Sequence, residues 1–307
     1  MTLLRAITLG TVLALAPSAV AKDKKLSPRK APSENFKLKG WTLTLPVDAD
    51  GDGKAETIKE KHLSNEFQVK PYFYTGEDGG MVFASTVAGS KTSKKTSFTR
   101  SELREMMRKG NTDIKTKGPN GTPNKNNWVF SSAPEAAQKL AGGVDGVMEA
   151  TLAVNRVTVT GKDSEVGRVI IGQIHAKDDE PIRLYYRKLP GNEKGSIYAA
   201  HESLNLPDDT YYEIIGTRSK SAPNPENGIA LNEKFSYKID AKGYFIDVTI
   251  YNDAKEIIGE TKIDMTESGY DQFDDYMYFK AGVYNQNKTG RPNDYVQATF
   301  YLSLIHI

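Results

Sequence analysis

The chain has 307 residues, a formal net charge of +2, 38% hydrophobic residues, 16 tyrosines and no cysteine. The near-zero charge excludes a globally basic polyanion binder, so any anionic polymer must be met by locally concentrated charge. Without cysteines the chain has no disulfide framework and no cysteine-borne lipid anchor, and a domain of this size can be stable through its core alone.

Residues 1–21 (MTLLRAITLGTVLALAPSAVA) read as a secretory signal peptide. Arg5 supplies a positive n-region, an apolar stretch follows, and Ala19-Val20-Ala21 has the small-x-small form of a cleavage site. The apolar stretch is too short to span a bilayer of roughly 30 Å, which argues against a membrane anchor. Cleavage after Ala21 would remove Arg5 and lower the net charge to +1. The expected location is secreted or periplasmic. Residues 22–35, rich in Lys, Pro and Ser, read as a flexible linker, and the folded domain is expected over 36–307.

Residues 48–53 (DADGDG) resemble the start of a calcium loop, but the position that would carry its bidentate glutamate is Lys59, so an acidic turn between strands is expected. Residues 97–106 (SFTRSELREM) read as a strand in which Arg100, Glu102 and Arg104 share a face and Leu103 lies opposite. Taken alone, that pattern also suits a surface ion-pair ladder. Residues 111–127 and 219–228 are turn-rich long loops of the kind that border binding sites. A short helix is expected near residues 133–140 (APEAAQKL). Residues 147–154 alternate between apolar and polar as a half-buried strand does.

In residues 169–176 (VIIGQIHA), Gln173 and His175 share one face and Ile174 points to the other. A lone histidine of this kind is more often structural. Residues 234–240, 244–251 and 296–304 are further strands. In residues 276–286 (YMYFKAGVYNQ), Tyr276, Tyr278, Lys280, Tyr284 and Gln286 share a face, and Gly282 on that face would leave room for a ligand. Many short strands with Gly, Asn and Asp turns and no helical period give an all-β class, a sandwich or jelly roll of two antiparallel sheets. Three polar strand faces side by side would line a basic, concave groove. His62, His201 and His306 have no metal-ligand spacing, and no nucleotide-binding or serine-hydrolase motif is present. No cofactor and no metal are expected.

Arg100-Ser101-Glu102-Leu103-Arg104, Gln173-Ile174-His175 and the stretch from Tyr278 to Gln286 resemble, in order, the three signature strands of the alginate lyases of polysaccharide lyase family 7, and Trp41 to Val47 (WTLTLPV) resembles that family's opening strand. The resemblance covers residue 36 to the C-terminus and implies a β-jelly roll that cleaves alginate by β-elimination. It implies that Arg100, Gln173 and His175 contact a uronate carboxylate and that Tyr284 lies near the glycosidic oxygen. Lys280, Gln286 and Arg104 would hold neighbouring sugars, and Glu102 would orient the arginines. Ile174 in the middle of the Gln-x-His motif implies action on guluronate-containing stretches. The expected partner is the polysaccharide alone, with no nucleic acid and no membrane, and the protein is expected to be a monomer. The alternative is a non-catalytic carbohydrate-binding module or lectin for an acidic polysaccharide, which would bind without turnover. A glycoside hydrolase would need two flanking carboxylates, and the polar strand faces offer only Glu102.

Overall fold

A computed structural model describes residues 25–306, with side chains through Leu302. The proposed signal peptide and residues 22–24 lie outside the described residues. Two large antiparallel sheets dominate. A nine-stranded sheet runs Thr210–Ile215, Lys194–His201, Ile182–Arg187, Arg168–His175, Tyr278–Asn285, Arg100–Glu105, Trp41–Leu45, Glu56–Ile58, with the short Ile229–Ala230 pairing beside Lys194–His201. A seven-stranded sheet runs Ile257–Asp264, Phe245–Asn252, Lys234–Lys242, Gly146–Arg156, Tyr295–His306, Met81–Thr86, Phe73–Thr75. Strands distant in sequence are neighbours in both sheets, the chain crossing repeatedly between them. This is a jelly roll, as the alternating patterns predict.

Alternation explains the layering. Leu43, Leu103, Ile174, Phe279 and Val283 from the first sheet meet Phe83, Leu152, Tyr237, Ile239, Val248 and Phe300 from the second, all buried in one core. Burying side chains of this size contributes about 1.5–3 kcal/mol each before entropy is counted. The alternate residues of the nine-stranded sheet are then forced onto its outer face.

The Gly-Gln-Ile-His strand owes its odd composition to the opposite sheet. The Tyr237 hydroxyl donates to the Ile171 carbonyl at 3.0 Å, and a Cβ on Gly172 would stand 2.5 Å from that hydroxyl oxygen. The register slips next to this point, between Leu184 and Tyr185 on one side and between Ala281 and Tyr284 on the other. Such bulges bend and twist a strand. Ile171 and Ile174 stay in the core while Ile170 and Gln173 face outward.

Two expectations are corrected. Residues 25–35 do not form a solvated linker. Pro32–Asn35 is a short helix, and Ala31 and Asn35 are buried. The Asn35 amide donates to the carbonyls of Ser27 (2.8 Å) and Gly79 (3.2 Å), which ties this segment to the domain. Gly282 does not leave room for a ligand either. Its φ is +141°, which only glycine adopts readily, and a Cβ there would meet the Ser101 carbonyl oxygen at 2.6 Å and the Glu102 Cα at 2.9 Å. It is required by the close approach of two backbones. The short helix appears at Glu135–Leu140. Among the described residues no helix is long and apolar enough to cross a membrane.

Candidate active site

The three polar strands are adjacent, with Tyr278–Asn285 in the middle. Lys280 lies between Gln173 and Arg104, Tyr278 beside His175, and Tyr284 beside Arg100. The shared outer face anticipated from alternation is therefore real.

Glu102 is its hub. The carboxylate is 1% exposed and accepts hydrogen bonds from Arg100 Nη1 (3.1 Å), Lys280 Nζ (2.5 Å) and Gln173 Nε2. Burial by itself would raise its pKa, but Lys280 and Arg100 outweigh that and hold it below the usual carboxylate value. Burial and the neighbouring Arg100 push the Lys280 ammonium down to about 8, even with Glu102 in contact. The cluster holds more cation than anion, so a further carboxylate would be welcome there. Gln173 is fully buried, and Gln173 Oε1, Arg100 Nε and Arg104 Nε have no hydrogen-bond partner among the described residues.

The arginines differ from expectation. Glu102 orients Arg100 but is not paired with Arg104. The Arg104 guanidinium instead lies 4.0 Å from the centre of the Tyr278 ring. The second cation on Glu102 is Lys280. Arg100 also covers the Tyr284 ring at 3.6 Å. Burial raises the Tyr284 phenol against the pull of Arg100, so the ring keeps its proton. Gln286 is buried just past the strand end, its backbone N–H bonded to the Arg168 carbonyl.

His175 is stacked on Tyr278 with centroids 5.0 Å apart and planes 13° apart. Nδ1 lies 2.7 Å from the Ala176 carbonyl oxygen, so it carries the hydrogen and Nε2 is the free nitrogen. Nε2 lies 3.3 Å from Glu180 Oε1. Burial, then Lys280, with Arg100 and Arg104 adding, push the imidazole pKa down to about 3 against the hydrogen bond to the Ala176 carbonyl, so the ring is neutral.

Glu180 was missed by sequence reasoning because it sits on a turn, where strand alternation assigns no face. Arg183 was missed too. It lies beside Gln173 and pairs with Asp209 at 2.5 Å. Alternation in IRLYYR would have found it. Asp48, Asp50 and Asp52 form the expected exposed turn, with carboxylates accepting N–H groups of the same loop. His201 is buried, bonded to Pro181 O and Ser268 Oγ, as suits a packing role. A cavity of about 510 Å³ bordered by Arg156, Lys188 and Tyr295 contains none of the signature side chains.

A family model described as alginate lyase matches residues 36–306. The chain belongs to the alginate lyase family. It is 56% identical to a curated alginate lyase of Klebsiella pneumoniae over 88% of this chain and 89% of that one. A crystal structure of the alginate lyase from Klebsiella pneumoniae superposes with a TM-score of 0.86 at 54% identity, covering 90% of this chain and 98% of that one. An alginate lyase of polysaccharide lyase family 7 shares the fold at 22% identity, with a TM-score of 0.62 over 90% of this chain and 98% of that one. The family is thus the one that the signature strands resemble, and the protein is an enzyme of that lyase class.

Proposed function

We propose that this protein cleaves alginate by β-elimination, with Arg100, Gln173, His175 and Tyr284 as its reacting and carboxylate-binding groups. One observation carries the reading: a cation-rich cluster around Glu102 shares a sheet face with a neutral histidine and a protonated tyrosine.

The proton on C5 of a uronate is weakly acidic while the neighbouring carboxylate is charged, and its removal builds an enolate-like dianion. Fixed donors aimed at that carboxylate offset the new charge, each contributing about 3 kcal/mol. Arg100 offers guanidinium N–H groups and Gln173 an amide. His175 Nε2 takes the C5 proton, the C5 electron pair forms the C4–C5 double bond, the C4–O bond breaks, and Tyr284 protonates the leaving oxygen. No water is consumed. A base with a pKa near 3 is weak: burial is the first cause, and Lys280, Arg100 and Arg104 add to it. A substrate carboxylate offsets the part that comes from those cations.

On mannuronate the C5 proton lies on the other face of the sugar, and Tyr284 serves as base and acid. Buried Ile174 supports a preference for guluronate-containing stretches only indirectly, from beneath the Gln173 and His175 backbone. Lys280, Arg104 and Gln286 hold adjacent sugars. The N-terminal segment supports export, and the protein acts as a monomer. A hydrolase reading is not favoured, since Glu102 is buried and ion-paired with Lys280 and Arg100, which leaves it unsuited to be one of two carboxyls flanking the bond. The test is ultraviolet absorbance on polyguluronate, polymannuronate and mixed alginate. An unsaturated uronate absorbs and a hydrolysis product does not. Binding without an absorbance rise on any of the three would replace the lyase with a lectin.

A further inference from the structure

We propose that Glu180 is the positioning residue of His175 and receives the proton that His175 takes from the sugar. This rests on His175 being the base for guluronate.

Glu180 closes the turn between Arg168–His175 and Ile182–Arg187, which brings its carboxylate back over the histidine that begins the turn. The Ala176 carbonyl fixes the hydrogen on Nδ1, so the lone pair of Nε2 faces Glu180 Oε1 at 3.3 Å. A lone pair facing a carboxylate gains nothing. Once Nε2 has captured a proton, the same contact becomes a charge-assisted hydrogen bond. Glu180 therefore stabilises the state after proton transfer more than the state before it, the difference that accelerates a step.

His175 is faced by Tyr278, Lys280, Arg100 and Arg104, and Glu180 by Glu202, Arg183, Arg100 and Lys280. The Glu202 backbone N–H donates to the Glu180 carbonyl oxygen, and the Glu180 backbone N–H donates to the Glu202 carboxyl Oε2, each at 3.3 Å. Burial first, then Glu180, push Glu202 up to about 7, so Glu202 holds the proton of the pair. The balance is closed. The C5–H proton moves to Nε2 and then to Glu180 Oε1, while Glu202, whose side chain is 33% exposed, releases the proton it holds to solvent and takes the one from Glu180 in its place. Tyr284 regains its proton from water.

The test uses the full chain and its Glu180→Gln and Glu180→Asp variants. On polyguluronate, Glu180→Gln should lower kcat about tenfold or more with KM unchanged or lower. The loss on polymannuronate should be several-fold smaller. Glu180→Asp should recover part of the guluronate rate. Nitrogen NMR of labelled histidine should show the His175 Nε2 signal moving in Glu180→Gln while Nδ1 stays. An unmoved Nε2 signal, a polyguluronate kcat within about twofold of wild type, or equal losses on both polymers would overturn the proposal. Full polyguluronate turnover in His175→Asn would instead overturn the role of His175 as base, whereas the NMR arm reads the Glu180 contact regardless.

Discussion

Asp294 and Glu102 are both buried carboxylates held below their ordinary pKa, one beside the seven-stranded sheet and one on the nine-stranded sheet. Asp294 accepts the backbone N–H groups of Val159 (2.8 Å), Thr160 (2.9 Å) and Tyr295 (3.0 Å) and the Thr160 hydroxyl (2.7 Å). Its donors are mainly main chain, so its charge fixes the path of a loop. Among the described residues the Glu102 carboxylate accepts from the side chains of Arg100, Lys280 and Gln173 alone, so its charge fixes rotamers and leaves the backbone to the sheet. A lowered carboxylate pKa alone therefore does not mark a site. The identity of the donors does.

The largest effect expected on this contrast is from Tyr284→Phe. It removes only the transferable proton, so turnover on alginate should fall about 10²- to 10⁴-fold while binding, measured by calorimetry, persists. Next, Glu102→Ala strands Arg100 and Lys280 without their anion and should cost about 3–5 kcal/mol of stability as well as most of the activity. Asp294→Ala should cost about 1–3 kcal/mol in denaturant unfolding yet keep kcat/KM near wild type at temperatures where it is folded. If Asp294→Ala loses turnover as fully as Glu102→Ala, the division between the two hubs is wrong.

A smaller effect comes from pH. With Lys280 at about 8, kcat/KM should fall as pH rises through about 8, because the free enzyme loses a cation that greets the substrate. Stability should move the other way. Between about 8 and its ordinary value of 10.5, the unfolded chain binds the Lys280 proton and the folded chain does not, so this residue's contribution to stability rises with pH. Lys280→Arg should remove the fall in kcat/KM. Gly282→Ala should destabilise by about 1–3 kcal/mol, as Asp294→Ala does, through backbone strain and the contact with Ser101, read as a lower Tm.

Much of this was legible because a strand has a period of two. Arg100, Glu102, Gln173, His175, Lys280 and Tyr284 were placed on outer faces by counting, and the faces proved adjacent. What counting could not give was which cation meets which anion. Arg104 is as near to Glu102 in sequence as Arg100, yet it covers Tyr278 while Lys280 crosses from the neighbouring strand. Glu180 was invisible for a different reason: turns have no fixed alternation. Gly282 was misread because a residue's face says nothing of its φ. The segment before residue 36 looked like a linker from composition, whereas its place depends on Asn35 finding carbonyls at Ser27 and Gly79.

The account rests on proton transfer between a sugar and two side chains of one sheet face. Absorbance of unsaturated uronate should be followed on polyguluronate with wild type, His175→Asn and Tyr284→Phe at equal substrate saturation. Wild type should generate the chromophore steadily, and both variants should lose it about 10²-fold or more while still binding the polymer. Either variant forming it within a few-fold of wild type would contradict the assignment.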